Sequence, residues 1–331
     1  MPSGRRKGAK RIAGTLKPGM RVAITTHVNA DGDGIGSEVA LWRMLRERGM
    51  RPVIVNPTTF PARYAFLLNG CAEADKSKAA VRHLERADVI VVLDISDLSR
   101  LGHLARIVEK TAVPVACVDH HLSNGSLPDG PRLTDAGAAA TGELIYDLGR
   151  VAGWSLDTEI ARALYVAILT DTGGFRFSNT SSRVLQLASH FLEHGLDPEE
   201  IYTAVYASEP EGKVRVLTEA LETLVVESRI AWLTIPPGAL ERHGLDASEL
   251  DGIVEVARSI DGVQLAIMFR QLASGRVKVS FRSMGSIDVA ELAEQFGGGG
   301  HRRAAGASFD GSLPDVQMRV LAAARSVAHT A

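Results

Sequence analysis

Four stretches of this chain end an apolar segment in residue types that bind metal ions or move protons. The first is His27-Val28-Asn29-Ala30-Asp31-Gly32-Asp33-Gly34. One imidazole and two carboxylates, four and six residues further on, can face a single point. Neutral imidazole and anionic oxygen together are an ordinary ligand set for Mn, Zn or Fe. The second stretch places Asp94 directly after the apolar run 87–93, and the third places Asp119-His120-His121 after the run 113–118. Titratable groups crowded against a buried strand end are costly to desolvate without a compensating charge, which a metal supplies. The fourth, Thr170-Asp171-Thr172-Gly173, ends an Ala- and Leu-rich helical segment. That is the pole of the helix macrodipole that disfavours an anion, so Asp171 also calls for a cation.

Each stretch has a plainer reading. Asp-Gly-Asp-Gly is a common turn, with Gly at positive φ and Asp bonded to its own backbone. An EF-hand is excluded, because the twelfth position counted from Asp31 is Trp42, where that loop needs an acid. Asp94 and Asp97 could each cap a following helix; that reading suits Asp97, and the ligand reading suits Asp94. Further on lies Gly297-Gly298-Gly299-Gly300-His301-Arg302-Arg303. By composition it is a hinge. Consecutive glycines also let backbone N–H groups approach an anion, and Gly298, Gly299, Gly300 and Arg302 then make a phosphate pocket. Arg270 and Arg282 lie in strand-like segments, where they are either solvated or forked onto phosphate.

The scaffold that must carry these residues reads as α/β. Strand-like segments at 22–24, 51–55, 87–93 and 113–118 alternate with helical ones, and their near-continuous apolar character is that of a parallel sheet covered on both faces. The expectation is an N-terminal parallel-sheet domain flanked by helices over 15–199, with its ligands at the C-terminal strand edge. A helical linker follows over 200–228, then a smaller C-terminal α/β domain over 229–331 with a mixed sheet, including a hairpin through Ala273-Ser274-Gly275.

Composition narrows the ligand. The 331 residues are 45% hydrophobic and 23% charged with a formal net charge of −2, which disfavours a sequence-independent grip on long nucleic acid. Cys71 and Cys117 suggest neither a disulfide framework nor a thiolate metal site, so a cytoplasmic protein is expected. No apolar run approaches a membrane span. The basic start, with Arg5, Arg6, Lys7, Lys10 and Arg11, reads as a frayed tail, with a phosphate contact as the lesser alternative.

Taken together, the four stretches resemble the motifs of the DHH phosphoesterase superfamily, and the glycine run resembles the hallmark of its DHHA1 domain, all in the family's order. Within that superfamily the chain is similar to the NrnA type, the bifunctional oligoribonuclease and 3′-phosphoadenosine 5′-phosphate phosphatase. The RecJ type needs room for an OB-fold, and the family II pyrophosphatases lack the glycine run. Where the family more often has a proline before its first Asp, this chain reads Val28-Asn29-Ala30. The resemblance implies two divalent ions, Mn²⁺ first, with Mg²⁺, Co²⁺ or Zn²⁺ as alternatives. His27, Asp31 and Asp94 would hold one; Asp33, Asp94, His120 and Asp171 would hold the other, with Asp94 bridging. Asp119 would orient His120 or a neighbouring ligand, His121 would point at the scissile phosphate, and His301, Arg270, Arg282 and Arg302 would hold the substrate. The implied reaction is hydrolysis of short RNA to 5′-mononucleotides, with the bisphosphonucleotide as a further substrate. Alternatives are a cyclic dinucleotide phosphodiesterase and a non-catalytic nucleotide sensor. A homodimer is implied by resemblance alone.

Overall fold

The computed structural model describes residues 1–121, 126–250 and 252–330, and the chain forms two compact units, Met1–Ser208 and Glu209–Ala331. In the first unit the strands β1 (Arg21–Thr25), β2 (Arg51–Ile54), β3 (Val89–Leu93), β4 (Val115–Asp119) and β5 (Arg132–Thr134) pair in parallel in the order β2-β1-β3-β4-β5. Every residue of β3 is buried. Val89, Val91 and Leu93 enter one core with Val22, Ile24 and Val118, while Ile90 and Val92 enter another with Ala23 and Cys117. A strand covered on both faces has no polar side, which is why its sequence does not alternate. Strand β5 is an addition to the expected set: Leu133 alone between Arg132 and Thr134 leaves no periodic signal. The order reverses between β1 and β3, the crevice where open α/β sheets place ligands.

Among the described residues eight α-helices accompany this sheet: α1 (Ser3–Thr15), α2 (Gly32–Glu47), α3 (Ala80–Glu85), α4 (Ala105–Lys110), α5 (Thr141–Ala152), α6 (Thr158–Asp171), α7 (Ser182–Leu192) and α8 (Pro198–Tyr206). The first corrects the sequence reading, since the basic start is not a frayed tail. Helix α1 packs on α5 and β5, and Arg5, only 5% exposed, pairs with Asp135, Glu143 and Asp147. The physical reason lies in α5, whose Glu143 and Asp147 are buried and need cations close by.

The second unit holds α9 (Glu211–Glu222), β6 (Val225–Glu227), β7 (Ile230–Ile235), α10 (Ala239–Arg242), α11 (Ile253–Arg258), β8 (Leu265–Gln271), β9 (Val277–Ser283), α12 (Val289–Glu294), β10 (Gly299–His301), β11 (Ala304–Phe309) and α13 (Leu313–Thr330). Its sheet runs β10-β11-β9-β8-β7-β6 and is mixed, because β7 and β8 are parallel and the other pairs antiparallel. Alternate residues of β8 serve two cores: Leu265, Ile267 and Phe269 on one face, Ala266 and Met268 on the other. The stretch 200–228 contains most of α8, then α9 and β6, and the boundary between the units falls within it.

The glycine run is not a hinge. Gly299–His301 is the edge strand β10, paired with β11. A Cβ on Gly298 would lie 2.3 Å from the Gly306 carbonyl oxygen, and one on Gly300 would lie 2.5 Å from that of Ala304. Close backbone approach therefore demands glycine at both positions.

Candidate metal centre

The first stretch folds so that its glycines provide room rather than a turn. Asp31 caps α2, its Oδ1 accepting from the N–H groups of Asp33 and Gly34 at 3.1 Å each. Gly32 and Gly34 are therefore in the first helical turn, which corrects the plain turn reading. A Cβ on Gly32 would lie 2.4 Å from Thr170 Cγ2, one on Gly34 would lie 2.8 Å from Thr26 Oγ1, and one on Gly36 would lie 2.4 Å from the Ala163 carbonyl oxygen. Helix α2 can thus lie against α6, and the residue after Thr170 is Asp171. Asp94 follows β3 directly and adopts φ 58°, a left-handed conformation that costs a β-carbon residue roughly 1 kcal/mol or more and concentrates at functional sites.

These elements bring seven side chains together at the C-terminal edge of the sheet. His27 Nε2 lies 3.5 Å from Asp94 Oδ2 and 3.9 Å from Asp31 Oδ2. His120 Nε2 lies 3.2 Å from Asp171 Oδ2, 3.6 Å from Asp94 Oδ1 and 3.7 Å from Asp33 Oδ2. His121 Nδ1 is 3.7 Å from Asp94 Oδ1. Among the described residues three groups could each hold a metal ion, with ligand atoms within 4.8 Å of one another: His27, Asp31 and Asp94; Asp33, His120 and Asp171; and Asp94, His120 and His121.

The donor set fits a divalent cation. His27 Nδ1 lies 2.8 Å from the Val28 carbonyl oxygen and His120 Nδ1 lies 3.4 Å from that of Ala138. With the ring proton given to a carbonyl, Nε2 keeps its lone pair and turns it toward carboxylate oxygens, an arrangement made favourable by a cation between them. The titration shifts carry the same message. Burial, followed by repulsion from Asp94 and Asp31, pushes the Asp171 carboxyl up to about 8. Burial and then Asp94, Asp171 and Asp31 hold Asp33 well above the usual carboxylate range. Burial works against Asp94 as an anion too, but the surrounding imidazoles of His27, His120 and His121 outweigh it and hold that carboxyl low. No Lys or Arg pairs with any of these four carboxylates among the described residues.

Sequence reasoning missed what holds two of the carboxylates in place. The backbone N–H groups of Thr141 and Gly142, at the start of α5, donate to Asp33 at 2.6 and 2.9 Å, and Thr141 Oγ1 donates to Asp94 Oδ1 at 3.0 Å. Thr141 reads locally as an early helix residue; its partners lie more than a hundred residues upstream in one case, and nothing local announces them. Of the two alternatives for Asp119, the neighbouring residue is the one it touches: its Oδ1 holds His121 Nδ1 at 2.7 Å, and its Oδ2 is buried without a hydrogen-bond partner among the described residues. Burial opposes the charged His121 ring, but Asp119 and Asp94 push it up to about 9.

The second-unit residues are placed as follows. Arg270 and Lys278 face one another across β8 and β9, and with Ser280, Met268 and Arg282 they line one cavity. Arg282 is tied to Glu255 at 2.6 Å, and Arg302 is exposed with its Nε 4.0 Å from Asp288. The side chain of His301 lies outside the described residues.

Comparison with known proteins accords with this geometry. Residues 21–168 match the DHH family, N-terminal domain, and residues 225–330 match the DHHA1 domain. The chain is 32% identical to the bifunctional oligoribonuclease and PAP phosphatase NrnA of Thermus thermophilus, over 92% of this chain and 89% of that protein. It is 27% identical to the protein of the same name from Bacillus subtilis, over 87% of this chain and 89% of that one. In fold it is similar to an exopolyphosphatase-related protein from Bacteroides fragilis, at a TM-score of 0.88 and 24% identity, covering 96% and 94% of the two chains. RecJ in complex with Mn²⁺ from Thermus thermophilus shares the fold at a TM-score of 0.57 and 20% identity, over 98% of this chain and 55% of that one.

Proposed function

The chain belongs to the DHH family, and from that premise we propose that it is a divalent-metal-dependent phosphoesterase acting on short oligoribonucleotides and on 3′-phosphoadenosine 5′-phosphate. The products are 5′-mononucleotides in the first case and adenosine 5′-phosphate in the second. One observation carries the reading: four carboxylates and three imidazoles meet at a sheet switch point with no Lys or Arg paired to those carboxylates among the described residues. Relatives of matching length bear the name of the two activities.

In this reading His27, Asp31 and Asp94 hold one ion and Asp33, Asp94, His120 and Asp171 hold the other. Mn²⁺ suits the mixed imidazole and carboxylate set better than Mg²⁺, which prefers oxygen alone. When bound, such a pair supplies a more acidic water and a Lewis-acid contact to the phosphoryl group. The chain's own residues do the rest. Thr141 and the N–H groups at the start of α5 hold Asp33 and Asp94 in register. His121, oriented through Nδ1 by Asp119, turns its Nε2 toward the phosphate. In the second unit Arg270 is half-buried and has no ion-pair partner among the described residues, so its guanidinium is available to a substrate phosphate, with Arg282, Arg302, His301 and the backbone of Gly299 and Gly300 in the same role; the Gly298 N–H is committed to the Ala293 carbonyl oxygen at 2.9 Å and drops out of the expected set. The net charge of −2 supports a short ligand rather than a long strand. Cytoplasmic residence, supported by the buried free thiols of Cys71 and Cys117, and a homodimeric state belong to the same reading. No helix among the described residues is long and apolar enough to cross a membrane.

The test is turnover by metal-stripped protein of a labelled RNA dinucleotide, the bisphosphonucleotide and cyclic di-AMP, each with Mn²⁺, Mg²⁺, Co²⁺ or Zn²⁺ restored. Release of mononucleotide from the dinucleotide, greatest with Mn²⁺, is expected. Binding of dinucleotide without any release would replace the enzyme by a sensor, and turnover of cyclic di-AMP alone would move the substrate.

A further inference from the structure

Glu38 lies on the inward side of α2, five residues past Asp33, and its side chain is fully buried. Its neighbours in sequence, Val39, Leu41 and Trp42, belong to the hydrophobic core, so packing alone would favour an apolar residue there. The carboxyl instead meets Asn56, whose Nδ2 donates to Glu38 Oε2 at 2.8 Å. Asn56 follows β2, is 2% exposed, and has its other groups committed as well. Its Oδ1 accepts the Thr26 N–H at 3.1 Å and its own N–H donates to Ser77 Oγ at 2.9 Å; Ser77 Oγ in turn donates to Asp75 Oδ1 at 2.6 Å.

This network has a direction. A reversed Asn56 amide would set its NH₂ against the Thr26 N–H and its oxygen against a carboxyl oxygen, so the acceptor on Glu38 decides which way the amide faces. Thr26 is the residue before His27, and its Oγ1 sits 2.8 Å from where a Cβ on Gly34 would be, beside Asp94 Oδ2 at 3.4 Å from the same point. The end of β1, the end of β2 and the second turn of α2 are thereby tied at one amide, directly behind the residues that face the metal centre.

We propose that Glu38 is a positioning residue for the His27, Asp31 and Asp94 set: it fixes the Asn56 amide, which fixes Thr26 and the backbone from which His27 projects. Burial holds the Glu38 carboxyl well above the usual range, against the hydrogen bond from Asn56 that favours the charged form. An anion there would add to the repulsion around Asp94. This assignment rests on the metal-centre reading above.

The test is calorimetric titration of metal-stripped protein with Mn²⁺, paired with thermal unfolding of the same metal-free samples. Glu38→Leu should bind Mn²⁺ about 10- to 100-fold more weakly, the range seen when a partner behind a metal ligand is lost. Its Tm should fall too, because the Asn56 NH₂ is left buried without an acceptor; a purely structural role predicts that fall with parent-like Mn²⁺ affinity of the folded protein. Glu38→Gln, which keeps an acceptor oxygen, should bind within about twofold of the parent. Asn56→Ala should weaken binding like Glu38→Leu, and the double variant should be no weaker than the weaker single one, since both break the same relay. Parent-like binding by Glu38→Leu, or equal loss in Glu38→Gln, overturns the proposal, and if Glu38→Leu fails to fold, Glu38→Gln with Asn56→Ala decides it alone. A parent protein that takes up no Mn²⁺ would instead overturn the metal centre itself.

Discussion

The first unit contains two groups of buried carboxylates that touch the same helix, and they differ in one respect. Glu143 and Asp147, 2% and 1% exposed, are forked by two guanidinium groups: Arg5 reaches both, and Arg183 reaches Glu143 through Nε at 2.7 Å and Asp147 through Nη2. Burial works against Glu143 as an anion, but Arg5 and Arg183 hold its carboxyl below the usual range. Asp33 and Asp94, 1% and 2% exposed, are as deeply buried, yet their charged neighbours are imidazoles and further acids. Asp33 is pushed up rather than down. Burial of acids is therefore no mark of a metal site by itself. The mark is burial together with a missing counter-charge.

The sharpest way to break this comparison is Asp94→Asn. As the anion shared by both ligand sets, its loss should lower kcat/KM by about 10³-fold, roughly 4 kcal/mol of transition-state stabilisation, and reduce Mn²⁺ uptake measured by calorimetry. Retention of most activity would remove the shared-ligand role. Arg5→Ala should act on the other group: it leaves buried anions short of a cation and should cost about 3 kcal/mol of stability. Unfolding should shift while the Mn²⁺ affinity of the folded protein stays near that of the parent; a large loss of affinity would mean that the two groups are not independent. Thr141→Val removes one hydrogen bond to Asp94 and should weaken Mn²⁺ binding by about tenfold, with Thr141→Ser restoring it.

The smallest effect is a slope with pH. In the metal-free protein Asp171 sits at about 8 and His121 at about 9, against roughly 3.9 and 6.5 in an unfolded chain. Between those limits the folded state keeps protons that the unfolded chain has released, so metal-free stability should fall as pH rises from about 4 to about 9. The lowered Asp94 contributes stability that is already complete above about pH 4, and does not oppose the trend. The Tm of metal-stripped protein should fall between pH 5 and pH 8.5, and Asp171→Asn should flatten the fall. An unchanged slope in that variant would show that Asp171 does not carry the excess charge.

Much of the scaffold was legible because periodicity and composition are local properties. The run 89–93 has no polar side and so reads as a strand covered twice; Asp97 sits where a helix cap belongs and does cap. The basic start was illegible because Arg5 owes its burial to Glu143 and Asp147, which no window of sequence places beside it. The glycine run offered a hinge or an anion pocket, and only the approach of β11 explains why Gly298 and Gly300 can carry no side chain.

The order of residues by itself determined an α/β chain with apolar strands that end in acids and imidazoles, because strand burial and ligand chemistry are written in residue type. Only the folded chain decided that Thr141 holds Asp94, that Asp119 holds His121 and not His120, and that Glu38 stands behind Thr26. Hydrogen bonds between residues far apart in sequence depend on how helices and strand ends are brought within three ångströms of one another, and that distance is a property of packing rather than of any segment.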